Sequence, residues 1–386
     1  MSTSIPKTTS RKLDQLQELV DEIITYLHDD PTSLKQCSLV NSTWLPASSR
    51  HLFYRMRWPP CPHAWALPYN YPSDLKCRCP PLDADPSTPL KDLMGQVVLS
   101  ARIRQYLKEF EICCSWSTME TSGHKATSPG EIMDILEALP GVKVLVISHL
   151  SFTPEAAWDT REATRSLDKL KMHSGDACSH LALNIIRYFT NIRELNMNSM
   201  WGNHAAILPP PSSEHRPQIN HLILSTMQSE RDAATINNLC THVDFSTLTA
   251  LTMPITSGSP HPQYNRAFHT LLSHAPNLSS FAGEHSCYPT LISHPTQCRK
   301  LTTLELRICG SSDGEQVYKD MQTFPNTLDC SVMSNIEEFT LQFIFSSPRV
   351  NWEPMGDYAS ESLFRDILLS LDWPQINRIF ARLKSA

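Results

Sequence analysis

One short pattern constrains this chain more than any other feature. From about residue 90 onward an apolar residue, two of any kind, an apolar residue, one of any kind and a third apolar residue keep returning in that order. The copies are Leu107-Phe110-Ile112, Val142-Leu145-Ile147, Ile192-Leu195-Met197, Ile219-Leu222-Leu224 and Leu248-Leu251-Met253. Leu278-Phe281 is a partial copy, Leu301-Leu304-Leu306 and Ile336-Phe339-Leu341 continue the series, and Ile376-Ile379 ends it. Starts at 192, 219, 248 and 278 lie 27 to 30 residues apart. The wider gaps call for insertions, and Ser148 to Ser179 and Gly202 to Pro217 read as candidate recognition loops.

Several copies follow a polar lead-in: Leu139-Pro140-Gly141, Phe189-Thr190-Asn191, Ala275-Pro276-Asn277 and Thr296 to Lys300. Each reads as a turn before a strand of about five residues. Between the strands, Glu131 to Leu139, Leu181 to Phe189, Ala233 to Cys240 and Arg266 to His274 carry apolar residues at helical spacing. Strand, turn and helix at about 30 residues is the signature of a solenoid whose strands line one curved parallel sheet, an α/β architecture. A generic α/β domain with similar strands is the alternative. In the solenoid the triplet residues face the core, and the residues between them face the concave side. That side would carry Glu109, Glu111, Glu194, Asn196, Asn198, His221, Thr252, Thr303, Glu305, Arg307, Glu338, Thr340 and Gln342. The set is polar, mixed in sign and mildly acidic, which suits a protein or peptide better than a phosphate backbone. A plain solvated face is the bland alternative.

The chain has 386 residues, 33 Lys and Arg against 39 Asp and Glu, and a formal charge of −6, which excludes a strongly basic nucleic-acid binder as the default. Hydrophobic residues make up 41%, so wholesale disorder is excluded as well. Eleven glycines leave few positions for phosphate-cradling loops, and neither G-x-G-x-x-G nor G-x-x-x-x-G-K-[ST] occurs. The N-terminus is polar, without the apolar stretch of a secretory signal, and no run approaches the length of a membrane span. The expectation is a cytoplasmic or nuclear protein whose cysteines, Cys37, Cys178 and Cys240 among them, stay reduced and pack as small hydrophobes.

The segment 13–57 differs from the rest. Leu16, Leu19, Val20, Ile23, Ile24 and Leu27 form one helical face. Asp29-Asp30-Pro31 ends that helix and opens a second, in which Leu34, Cys37, Leu39 and Val40 are apolar. Asn41 or Ser42 caps a third, which carries Trp44, Leu45, Leu52, Phe53 and Met56. Three helices in about 45 residues cannot hide this much apolar surface alone, so some of it faces another chain or the rest of this one. Residues 58–89 are dense in proline, follow no period, and read as an irregular connector.

These residues resemble a family. Leu16-Gln17-Glu18-Leu19-Val20-Asp21-Glu22-Ile23-Ile24-Thr25-Tyr26-Leu27, then Leu34, Cys37-Ser38-Leu39-Val40 and Trp44, then Leu52-Phe53-Tyr54, are similar to an F-box, with Gln17 where the family usually has proline. The repeats over 90–386 resemble the irregular leucine-rich repeats often attached to F-boxes; only Leu301-x-x-Leu304-x-Leu306-x-x-Cys309 reaches that family's Asn/Cys position. The resemblance implies a non-catalytic substrate receptor of an SCF-type cullin-RING ubiquitin ligase. Its F-box would bind the Skp-family adaptor, and through it the cullin scaffold, by Leu16, Leu19, Ile23, Leu27, Leu34, Leu39 and Val40, which share in that contact or its support. Trp44 would brace the helices. The concave residues Glu194, Asn196, Asn198, His221, Thr303, Glu305 and Arg307 would hold a protein substrate. A non-degradative interaction scaffold is the alternative.

Catalytic signatures are missing from the sequence: there is no G-x-S-x-G, no H-E-x-x-H, no recognisable carboxylate pair, and Cys113-Cys114 is adjacent rather than C-x-x-C. Cys61, His63, Cys77 and Cys79 are spaced C-x-H and C-x-C, awkward for structural zinc, and read as incidental loop residues. No cofactor, metal, nucleic acid or membrane is expected.

Overall fold

The computed structural model describes residues 8–58, 101–113, 128–148, 163–173, 179–198, 216–225, 230–253, 262–284, 287–294, 299–310 and 335–345, with 374 and 381. The chain divides into two compact units, Met1–Thr153 and Pro154–Ala386. The connector with Cys61, His63, Cys77 and Cys79, Cys178, the loop Gly202 to His215, the copy at Ile376 and the expected helix from Glu361 to Leu371 lie outside the described residues.

The first unit opens with α1 (Thr8–Tyr26), α2 (Pro31–Ser38) and α3 (Trp44–Leu52). Asp30 starts α2: its Oδ1 accepts the backbone N–H groups of Thr32 and Ser33 at 3.0 and 3.1 Å, and Pro31 occupies the first turn. Hydrogen bonds from the Ser33 hydroxyl and backbone hold the Asp30 carboxyl below its usual range. The N-cap of α3 is Thr43, not the expected Asn41 or Ser42, and it makes no side-chain cap bond; Asn41 instead holds the turn before the helix, its Oδ1 accepting from the backbone N–H groups of Thr43 and Trp44 at 2.8 and 3.2 Å. The three helices close on Val20, Ile24, Leu34 and Ala47, with Leu27, Cys37, Trp44 and Leu52 packed around them.

The chain then passes directly into β1 (Arg55–Trp58), which runs parallel to β2 (Glu109–Cys113), itself parallel to β3 (Val144–Ser148). Strand β1 lies across residue 57, where the sequence reading ended its helical segment. Met56, Phe110 and Leu145 share a register row. Helix α4 (Ala101–Tyr106) precedes β2, and α5 (Pro129–Ala138) precedes β3. A reciprocal box opens α5: Ser128 Oγ accepts from Glu131 N at 3.2 Å, and Glu131 Oε2 accepts from Ser128 N at 3.0 Å.

The second unit carries β4 (Arg165–His173), β5 (Phe189–Asn198), β6 (Gln218–Ser225), β7 (Ala250–Thr252), β8 (Ser280–Glu284), β9 (Thr303–Gly310) and β10 (Glu338–Phe345). All pairs are parallel, and neighbours in sequence are neighbours in the sheet. Helices α6 (Ser179–Arg187), α7 (Glu230–His242), α8 (Pro262–His274) and α9 (Tyr288–Ile292) lie between them in the chain. The protein is α/β, with parallel strands.

Two expectations are corrected here. Ser148 to Ser179 is not simply a loop, since it contains β4, whose Leu167-Leu170-Met172 repeats the triplet and divides the interval from Val142 to Ile192 into halves of 25 residues. Phe189-Thr190-Asn191, expected as a turn, already belongs to β5, and the pairing slips between Arg165 and Ser166 to accommodate it.

Residues Leu170, Leu195, Leu222, Leu251, Phe281 and Leu304 form a register row across the sheet, and each is almost wholly buried. Phe281 stacks on Phe268 of α8, with ring centroids 5.9 Å apart, so the helical layer covers this face. Gly283 sits under that ring, where a Cβ would come within 2.7 Å of it. At the strand starts, side chains satisfy the carbonyls of the preceding turn. Asn277 Nδ2 donates to Ser246 O at 2.8 Å, Ser279 Oγ to Thr249 O at 3.1 Å, Thr302 Oγ1 to Ser279 O at 3.3 Å, and Asn335 Nδ2 to Arg299 O. Of the polar lead-ins read from the sequence, Ala275-Pro276-Asn277 contributes to this ladder through Asn277.

Each leucine of the central row contributes about 1.5–3 kcal/mol by burial, and its truncation also leaves a cavity. Leu222→Ala is therefore expected to destabilise the chain by about 2–5 kcal/mol in denaturant unfolding, whereas Asn196→Ala, on the other face, falls within about 0.5 kcal/mol.

Candidate functional site

Two surfaces carry the residues singled out by sequence. The first is the helical segment. The expected single face of α1 is split in two, because α2 and α3 together cover only one edge of it. Val20 and Ile24 point into the core, while Leu19 (56% exposed), Ile23 (46%) and Tyr26 (83%) line the open edge. At the end of α2, Leu39 (85%) and Val40 (61%) are also exposed. Leu34 is at the centre of the helical core and Leu27 packs on its margin. Those two support the segment rather than offer surface. Leu16 lies in α1, and its side chain is outside the described residues. Trp44 packs against the core. Tyr26 was not singled out by sequence, although its place seven residues after Leu19 and three after Ile23 is the signal that finds it.

The second surface is the face of the sheet opposite the central leucine row. Glu194, His221, Thr303 and Glu338 lie in one register row of this face, Asn196, Thr252, Glu305 and Thr340 in the next, and Arg307 pairs with Gln342 beyond them, with Asn198 at the same end of β5; their apolar neighbours are buried leucines and methionines on β5 to β7 and β9, and half-buried Phe339 and Leu341 on β10. Glu109 and Glu111 hold the equivalent positions on β2 of the first unit. The described side chains of this face are mostly half-buried.

Much of its charge is already paired within the sheet. Lys169 Nζ, from the strand that sequence reading missed, lies 2.5 Å from Glu194 Oε1 in the adjacent row position. Arg307 Nε donates to Glu305 Oε1 at 2.7 Å. On β1 and β2, Arg55 reaches Glu109 at 3.2 Å and the nearly buried Glu111 at 2.9 Å. His221 Nε2 is 3.3 Å from Thr252 Oγ1. Burial pushes the His221 pKa below its ordinary value, Glu194 opposes that shift, and Lys169 adds to it. The ring is therefore neutral near pH 7 and can either donate or accept one hydrogen bond at Nε2.

A cleft of about 480 Å³ opens at the strand starts of the second unit, lined by Arg216, Gln218, Asp244, Ser246, Ser273 and His274 among others. Ser273 and His274 are not aligned as nucleophile and base: Ser273 Oγ donates to His269 O at 2.9 Å, and His274 Nδ1 meets Thr270 O at 2.9 Å. Burial opposes, but hydrogen bonds from Ser246 and Gln218 and the Arg216 charge prevail, so the Asp244 carboxyl stays below its usual range. Burial pushes the Cys240 thiol up to about 12, which leaves it protonated and inert. Among the described residues no three His, Cys, Asp or Glu side chains gather as for a metal, and no helix is long and apolar enough to cross a membrane.

No family model matches this chain, and no curated protein matches it.

The charge row Lys169–Glu194–His221 has a direct readout. In the wild type the His221 ring is expected to titrate below the ordinary histidine value when followed by NMR, because it is partly buried. Lys169→Gln is expected to raise that pKa and Glu194→Gln to lower it further, since one removes a repelling cation and the other an attracting anion. An unmoved His221 in both variants would contradict the row.

Proposed function

We propose that the chain is the substrate-receptor subunit of an SCF-type cullin-RING ubiquitin ligase: residues 13–57 act as an F-box that docks the Skp-family adaptor, and the repeats over 90–386 act as an irregular leucine-rich-repeat-like solenoid that holds a protein target. The observation that carries this reading is the open apolar edge of the helical segment. Leu19, Ile23 and Tyr26 on α1, with Leu39 and Val40 after α2, are exposed although the segment has a complete core of its own. Five large apolar side chains left to water on a segment this small are the mark of a covered surface.

The sheet supports the second half of the reading. Parallel sheets covered on both faces read as continuous apolar runs. Here the strands alternate, with leucines under the helices and Asn196, Thr252, Thr303 and Glu305 on the other side. Sequential parallel strands with a helix in most intervals, one leucine row and one polar face match the stacking of a solenoid. In this role the protein makes and breaks no bonds itself. It tethers a target near ubiquitin carried by a separate catalytic subunit, and so raises the local concentration of acceptor. Such a receptor works in the cytoplasm or nucleus.

Point variants test the docking better than deletion of residues 1–57, because Arg55 to Arg57 belong to a sheet strand. Leu19→Asp with Ile23→Asp is expected to abolish co-purification of the Skp-family adaptor with the full chain while leaving helicity and unfolding midpoint nearly unchanged. Adaptor retained at equal stoichiometry by the folded double variant overturns the assignment.

A further inference from the structure

We infer that His269 and His294 form a pH-sensitive latch in the second unit: the two rings hold α9 against α8 while His294 is neutral, and protonation of His294 releases α9. His269 stands on α8. His294 follows the last turn of α9, its backbone N–H donating to Leu291 O at 3.0 Å. The ring centroids are 4.0 Å apart and the planes cross at 58°, so the rings are in direct contact. The two are not equivalent: His294 is buried, at 9% exposure, and His269 borders water.

The surroundings of the buried ring suit only its neutral form. His294 Nε2 is sealed from water and has no hydrogen-bond partner among the described residues. A neutral imidazole can leave that nitrogen bare. The charged ring must carry an N–H there, with neither an acceptor nor water to meet it. Protonation also sets a cation against a second basic ring. Burial therefore pushes the His294 pKa down, and His269 pushes it the same way. Arg266 and His274 share α8 with His269, Glu284 closes β8, and Arg299 and Lys300 precede β9. Among these charges only His269 bears on His294, so no carboxylate is in place to stabilise the cation.

Helix α9 has little else to hold it. It is five residues long, far below the roughly 12–15 at which a helix stands alone. Its N-cap, Cys287, makes no side-chain cap bond. Its place depends on the burial of Cys287, Leu291 and His294. The helix returns the chain from β8 to β9, whose residues Ala282 and Glu305 are paired on the polar face. Release of α9 thus uncovers the free Cys287 thiol and loosens the crossover between two strands of that face. Because the folded pKa of His294 lies below the ordinary value, the contact contributes fully above about pH 6.5 and is lost as the pH falls from there toward the lowered value. This inference does not depend on the adaptor reading.

Labelling of Cys287 in the full chain by a pyridyl disulfide, followed by peptide mass spectrometry, tests it. Wild type and His294→Phe are compared at the same pH, so the reagent's own pH dependence cancels. The two are expected to label alike at about pH 7.5, and at about pH 5.5 the wild type is expected to label at least about fivefold faster. Cys240, buried in α7, should stay slow in both, which marks the opening as local. Equal Cys287 rates in the two proteins at the lower pH, or Cys240 opening together with Cys287, overturns the proposal. A histidine NMR titration of the wild type decides the matter even if His294→Phe is unstable. His294 should titrate below the ordinary value, and titration at or above that value overturns the latch.

Discussion

Every regular feature of the second unit follows from one apolar row. Leu170, Leu195, Leu222, Leu251, Phe281 and Leu304 stand side by side on consecutive parallel strands, all sealed from water. A parallel strand must be returned to the same end of the sheet before it can be paired, so each residue of the row costs a crossover of a dozen residues or more. The spacing of 23 to 30 residues along the row is the length of strand, turn and returning helix. Because each strand pairs only with its chain neighbours, the row extends unit by unit, and the faces stay distinct along its length. Glycine is required where the row is crowded: at Gly283, beneath Phe281, no side chain fits.

The same row explains what could be read from sequence. The triplets at Leu195, Leu251 and Leu304 are legible because their apolar spacing stands out from polar neighbours, and those at Leu145 and Leu222 because they sit in short apolar runs. Leu167-Leu170-Met172 fits the same template, but Arg165, Asp168, Lys169 and Lys171 surround it, and dense charge reads as loop unless the template is applied strictly. Strand β1 was hidden differently: four residues at the close of a helical segment carry too little alternation to be seen. With β4 unseen, the partner of Glu194 was unseen too, so a residue that looked available to a target is half of an ion pair with Lys169. The helical segment shows a further limit of periodicity. It finds the apolar side of α1 but not how much of that side two short neighbours cover, and only packing separates Val20 and Ile24 from Leu19 and Ile23. His269 and His294 meet for the same reason, through a packing that no spacing encodes.

The two surfaces differ in physical character. The edge of α1 is apolar, and covering it gains the hydrophobic contribution directly. The sheet face offers mostly polar groups whose charges are already matched by Lys169, Arg307 and Arg55. A target lying on it gains little from bare charge and must match hydrogen bonds at Asn196, Thr252, Thr303 and Thr340, which favours specificity over raw affinity. One surface thus favours tight attachment and the other selective attachment.

Hydrogen exchange of the full chain with and without the Skp-family adaptor tests the central claim most directly. The account predicts slowed exchange in the second half of α1 and at Leu39–Val40, with the amides of β4 to β10 unchanged. Equal exchange throughout the helical segment, or protection confined to the sheet, would contradict it.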